Sequence, residues 1–86
     1  MKPRQGLPGD KNIIGTTVAG LRKAQGIKQK DFLAKLQTLG LDISSTSFSR
    51  LEGQDRYVLD YELVIIARAL NCPVETLLNQ GMEQRR

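Results

Sequence analysis

Histidine and tryptophan are absent from this 86-residue sequence, and it contains one cysteine, Cys72. A single cysteine excludes an internal disulfide framework and fits a reducing cytosol. Without histidine, and with its carboxylates scattered, the sequence offers neither a metal-ligand cluster nor a histidine general base. It also shows no nucleophile paired with a base. We therefore expect a protein that is not an enzyme, with no catalytic residue, metal, cofactor or evident small-molecule ligand.

Long apolar runs are missing as well. A membrane-spanning helix needs roughly 18 or more consecutive apolar residues, and no segment approaches that length. Residues 1–6 are basic in character but lack the apolar stretch and the small-residue cleavage site of a secretory signal. These absences predict a cytoplasmic protein without a membrane partner.

Positive charge is what the sequence has in surplus, with a net charge of +4 and a pI of about 9.6. The surplus lies toward the front: residues 1–26 carry five basic and one acidic side chain, whereas residues 59–86 carry three and four. Because cationic side chains at a phosphate surface release condensed counterions, nucleic acid is the first partner to consider. Charge alone is weak evidence for such a partner.

Helical periodicity fills the middle of the chain. Residues 1–11 place proline and glycine among charged residues and predict a flexible basic arm, and residues 80–86 predict a disordered tail. Between them, residues 12–79 show apolar residues at helical spacing and no strand-like alternation. The sequence therefore predicts one compact all-α domain. Its five predicted helices span approximately residues 13–25, 29–39, 45–52, 60–70 and 74–79.

Short-range signals mark the ends of these helices. Gly26 supplies a left-handed stop for the first helix, and Gly40 ends the second. Ser44 is a good N-cap for the third helix, and Asp60 is predicted to cap the fourth. Pro73 opens the fifth helix, because its missing N–H costs nothing at a helix start.

The third helix, residues 45–52, has a thin apolar face. Only Phe48 and Leu51 on it are strongly apolar, which turns the hydroxyl-bearing residues and Arg50 outward. Such a helix rests lightly on a core and leaves its other face free to enter the DNA major groove, which is about 12 Å wide. Its N-terminus presents unpaired N–H groups that can lie near phosphates.

Four motifs in a fixed order give the sequence a family likeness. It resembles the lambda-repressor-like helix-turn-helix family, the phage repressor and Cro proteins and their bacterial relatives, over roughly residues 13–78. The resemblance implies a five-helix DNA-binding domain whose recognition helix is 45–52. The motifs are L-R-K at 21–23, glutamine at 29, S-x-x-S-F-S-R-L-E at 44–52, and D-Y-E-L with A-x-A-L at 60–70.

A set of polar and basic residues is predicted to contact DNA. Arg50 is the one helix-three side chain able to make a bidentate contact to guanine, and the alternative is a solvated surface arginine. Gln29 matches the family glutamine that contacts a phosphate and braces helix three, and the alternative is plain exposure. The full predicted set is Lys28, Gln29, Lys30, Ser44, Ser45, Thr46, Ser47, Ser49, Arg50 and Arg56.

The resemblance also implies contacts that do not involve DNA. Arg22 and Glu52 occupy positions that the family often joins in a partly buried salt bridge, and the alternative is that both are exposed. Helix four is apolar almost all round, more than a small core can cover. The surplus predicts a dimer surface, because many relatives dimerise near there. That predicted surface comprises Ile65, Val74, Thr76 and Leu77.

Together these features predict a sequence-specific transcriptional regulator of prokaryotic or phage type. It would repress as a homodimer on a near-palindromic double-stranded DNA site and lie with the nucleoid when bound. The alternative is an antitoxin-like protein-interaction adaptor with the same fold and little DNA specificity. Asp55, which stands where the family frequently has a lysine, and the serine-rich recognition helix keep that alternative open. Leu33 is a second departure from the family pattern, because it stands where a small alanine is usual.

Overall fold

Five α-helices make up the part of the chain that the structure, a computed structural model, describes, residues 11–84. The all-α fold class is therefore confirmed. Residues 1–10, nearly all of the predicted arm, and residues 85–86 lie outside the described residues. In chain order the helices are α1 (Gly15–Ala24), α2 (Gln29–Thr38), α3 (Ser45–Glu52), α4 (Asp60–Ala69) and α5 (Val74–Gln84).

The short-range end signals hold at most of the helix ends. Gly26 and Gly40 have φ of 72° and 101°, left-handed values that side chains rarely adopt. The hydroxyl of Ser44 accepts a hydrogen bond from the backbone N–H of Ser47 at 3.1 Å, as an N-cap does. These three signals depend only on neighbouring residues, so the sequence alone was sufficient to predict them.

The predicted cap of α4 is wrong. Leu59 occupies the N-cap position, and Asp60 is the first helical residue. The Asp60 carboxylate accepts from the backbone N–H of Tyr61 at 2.6 Å instead. Glu62 reaches back to accept from the backbone N–H of Leu59 at 2.9 Å, so an acid in the first turn satisfies the donor before the helix.

The last helix is longer than predicted. It continues through residues 80–84, so the prediction of a disordered tail there is wrong. Gly81 is buried one turn beyond the fully buried Leu77, and a Cβ on Gly81 would overlap the carbonyl oxygen of Ile13. The glycine thus allows α5 to approach the chain just before α1 closely, and the helix runs on.

The core joins all five helices. Its largest fully buried side chains come from each of them: Phe32, Phe48, Leu36, Leu51, Ile66, Leu70, Leu77 and Val18. The rings of Phe32 on α2 and Phe48 on α3 lie 5.6 Å apart between centroids. Helix α3 packs on α1 and α2, whereas α5 packs on α1 and α4. None of the helices within residues 11–84 is long and apolar enough to cross a membrane.

Candidate nucleic-acid interface

The outer face of α3 is open to solvent. Phe48 and Leu51 are fully buried, as predicted, and Ser47 is half-buried beside its cap. The remaining side chains of the predicted set on this helix and its cap are exposed: Ser44, Ser45, Thr46, Ser49 and Arg50. The helix therefore presents hydroxyl groups along its length and one guanidinium in its last turn.

Arg22 and Glu52 form a bidentate ion pair between α1 and α3. Arg22 Nε donates to Glu52 Oε2 at 2.8 Å, and Nη2 donates to Oε1 at 3.2 Å. Each side chain is only 9% exposed. Arg22 Nη1 also donates to the carbonyl of Ile27 at 2.8 Å, so the guanidinium is held on three sides. A pair with this geometry fixes the end of α3 relative to α1.

Gln29 extends this ion pair to the surface of α3. Its Nε2 donates to Glu52 Oε1 at 2.9 Å, and its Oε1 lies 3.4 Å from the hydroxyl of Ser49, which donates to it. The amide is therefore oriented by two groups on α3. This is the bracing of helix three that the family likeness implies; a phosphate contact by Gln29 stays a prediction.

Exposed cations stand beside this network. Lys28 is the N-cap residue of α2 and Lys30 lies in its first turn, both exposed, on either side of Gln29. Arg50 is exposed in the last turn of α3. Within residues 11–84, the ion pairs do not include any of these three cations. That they contact DNA stays a prediction.

Arg56 does not join these cations. Its Nη1 and Nη2 donate to Glu62 Oε1 and Oε2, both at 2.9 Å, and Nη1 also donates to the carbonyl of Tyr57. Hydrogen bonds from Arg56 hold the pKa of the buried Glu62 carboxyl below its usual range, and the carboxylate in turn raises the pKa of Arg56. The guanidinium is held by this pair, and its predicted phosphate contact stays a prediction.

Asn12 is a positioning residue that the sequence analysis missed. Its Nδ2 donates to the carbonyls of Leu51 at 3.1 Å and Arg56 at 2.8 Å. Its Oδ1 accepts from the backbone N–H groups of Ile14 and Gly15 at 3.1 and 2.7 Å. The side chain thus caps the start of α1 and ties it to the end of α3. An asparagine just before an apolar periodic segment is a helix-start signal, so the sequence could have predicted the contacts with the start of α1 but not those with Leu51 and Arg56.

Lys11, the last residue of the predicted arm, belongs to the folded body. Its backbone N–H donates to the carbonyl of Gln54 at 2.8 Å. Its ammonium lies 3.9 Å from Asp55 Oδ1 and 5.8 Å from the centre of the Tyr57 ring. Lys11 therefore lies beside the loop that follows α3.

The residues of the predicted dimer surface are only partly accessible. Leu77 is completely buried, so it contributes nothing to a surface, and Ile65, Val74 and Thr76 are half-buried. The neighbouring residues Leu78 and Met82 are 36% and 51% exposed instead. The reason is the long α5, whose buried side is the line through Leu77 and Gly81.

Comparisons with known proteins bear on the fold. A scan against protein-family models and a search of curated proteins each found no match. Among solved structures, the crystal structure of the clp gene regulator ClgR from C. glutamicum superposes with a TM-score of 0.77. Its sequence is 17% identical, and the match covers 88% of this chain and 92% of that chain. At this identity the likeness establishes a shared fold.

Proposed function

We propose that the chain is a sequence-specific DNA-binding regulator of transcription that inserts α3 into the major groove. The observation that carries the proposal is the combination of an exposed outer face on α3 with a rigid attachment of its inner face. The helix buries Phe48 and Leu51 and is held by the Arg22–Glu52 pair. A helix presented in this way reads base edges without rearranging.

Charge around α3 supports the same function. Lys28, Lys30 and Arg50 are exposed near its two ends and supply cations for the phosphates that flank a groove. If each neutralises one phosphate, the logarithm of the binding constant falls with the logarithm of salt concentration at a slope of roughly −0.9 per contact. The solved structure that shares the fold belongs to a gene regulator, which favours this use of the fold over others.

A homodimer acting as a repressor is the form of regulation that we propose. Val74, Leu78 and Met82 follow one another at four-residue spacing and form an apolar stripe on α5. A second copy of the chain is the occupant that fits, because a two-fold axis through α5 leaves α3, packed on α1 and α2, outside the interface. The two recognition helices would then read half-sites about one helical turn, roughly 34 Å, apart.

The test is selection of bound duplexes from a random library at about 0.15 M salt, a concentration that limits non-specific phosphate binding. We expect enrichment of a near-palindromic sequence, which establishes specificity and half-site spacing together. An enriched sequence without symmetry would remove the dimer and keep the DNA-binding function. Failure to enrich any sequence would overturn the proposal.

The antitoxin-like adaptor is the second candidate, and one observation favours it. Tyr57 and Leu59 in the loop before α4 are 71% and 55% exposed, and they border a groove that also includes Leu78. Exposed apolar side chains gathered around a groove are typical of protein-binding surfaces. Under this function, the selection would enrich nothing, and charge reversal at Arg50 would leave partner binding unchanged.

A further inference from the structure

A small crevice opens between the beginnings of α2 and α3. Gln29, Lys30 and Leu33 line it from α2, and Ser45 and Phe48 line it from α3. Its volume is about 60 Å³, above the ~10–15 Å³ that admits one water-sized group. We propose that this crevice receives the 5-methyl group of a thymine in the major groove and that Leu33 is thereby a specificity-determining residue. This inference rests on the proposed DNA-binding function.

The lining selects an apolar occupant. Leu33 is half-buried and Phe48 fully buried, and both present hydrocarbon to the crevice. The amide of Gln29 is already occupied, since it donates to Glu52 and accepts from Ser49. A polar group placed against the hydrocarbon of Leu33 and Phe48 loses hydrogen bonds to water, whereas Lys30 and Ser45 supply polar groups elsewhere in the lining. The apolar part of the lining therefore favours a small apolar group.

The surroundings identify DNA as the source of that group. Lys30 lines the crevice, and Lys28, two residues earlier at the N-cap of α2, is exposed. Ser45, which also lines the crevice, is the first residue of the recognition helix. One exposed carboxylate, Asp31, follows Lys30, so the cations outnumber the acid at this end of α2. Among base edges in the major groove, the thymine methyl is the apolar group. A phosphate held by the lysines would bring an adjacent base edge to the crevice.

The experiment uses the duplex selected from the random library and replaces each thymine in turn by uracil, which removes only the methyl group. For the wild-type protein, we expect one position per half-site at which the exchange weakens binding about fourfold, the factor that burial of one carbon gives. Leu33→Ala opens the crevice and is expected to reduce that ratio to nearly one. Leu33→Val, which removes less volume, should give an intermediate ratio.

The comparison of thymine with uracil on the same variant cancels any general loss of affinity or stability. Leu39→Ala is the matched control, because it removes the same atoms from a leucine that is 36% exposed at the far end of α2. It should keep the full fourfold ratio. Equal ratios for wild type and Leu33→Ala, or no thymine at which the methyl matters, would overturn the crevice assignment while specific binding stands. If no duplex is enriched, the proposed function fails first and the inference falls with it.

Discussion

Removing the charge of Glu52 should destabilise the domain strongly. In the folded protein, the Glu52 carboxylate accepts two hydrogen bonds from Arg22 and one from Gln29. Glu52→Gln keeps the shape of the side chain but turns an amide donor toward the Arg22 guanidinium. The amide keeps one oxygen that can accept from Arg22, so the guanidinium, 9% exposed, loses one of its two hydrogen bonds to residue 52 and the negative charge that compensates it.

The expected magnitude follows from burial. Breaking a buried ion pair on one side costs ~3–5 kcal/mol, because it leaves an uncompensated charge away from water. A domain of this size has a free energy of unfolding of roughly 4–13 kcal/mol, so the loss is a large share of the total. Since each kcal/mol lowers the melting temperature by about 4–8 °C, we expect a fall of at least ~12 °C.

Thermal unfolding followed by circular dichroism measures this effect, and two further variants interpret it. Arg22→Met combined with Glu52→Leu removes both charges and should be more stable than Glu52→Gln alone. Asp55→Asn is the control, because its pair with Lys11 is 3.9 Å long and about half exposed on both sides, and pairs of this kind contribute at most ~1 kcal/mol. A loss below ~1 kcal/mol for Glu52→Gln would refute the claim that the pair is desolvated.

Three further expectations follow from the same structure. Arg50→Ala should weaken binding to the selected duplex more than tenfold and barely change affinity for random DNA, whereas Lys28→Gln should weaken both alike and reduce the salt slope by about one. Leu78→Glu should dissociate the dimer in sedimentation experiments, and Asn79→Glu, an exposed neighbour, should not. Glu62→Gln should lower the melting temperature by an amount that is constant above about pH 5 and shrinks in acid.

Each of these expectations has an outcome that contradicts it. Equal losses on specific and random DNA would show that Arg50 touches only phosphate. A dimer that survives Leu78→Glu would place the interface elsewhere than on the α5 stripe. The pH expectation has a definite sign: a lowered folded pKa gives stability that is complete above the unfolded pKa and lost as pH falls through the folded one. A melting difference that grows in acid would therefore contradict the Glu62 assignment.

Local signals explain what the sequence could predict of the fold. Ser44 caps α3 and Gly26 ends α1 through contacts with immediate neighbours, so a reader of the sequence finds them without knowing the packing. Gly81 shows the opposite case. Near the end of a chain it suggests that a helix stops, yet its role depends on the Ile13 carbonyl against which it packs. Nothing close to Gly81 in the sequence carries that information.

In the candidate site too, local features could be predicted from the sequence and long-range pairings could not. The polar face of α3 follows from the positions of Phe48 and Leu51, which define the buried side of one short helix. Arg56 could not be placed in this way, because its partner Glu62 is also a favourable first-turn acid for α4. The sequence offers both roles for Glu62, and only the folded arrangement shows that one carboxylate performs both.

The thin apolar face of α3 explains why so many polar contacts converge on it. Two buried side chains, Phe48 and Leu51, contribute roughly 1.5–3 kcal/mol each by burial, and a wider apolar face would occupy the surface that the proposed DNA binding requires. Polar contacts to Arg22, Gln29 and Asn12 therefore hold the helix where hydrophobic contact is scarce. A helix fixed before binding loses less conformational entropy on docking, so under the proposed function these buried bonds would favour affinity and specificity without touching a base.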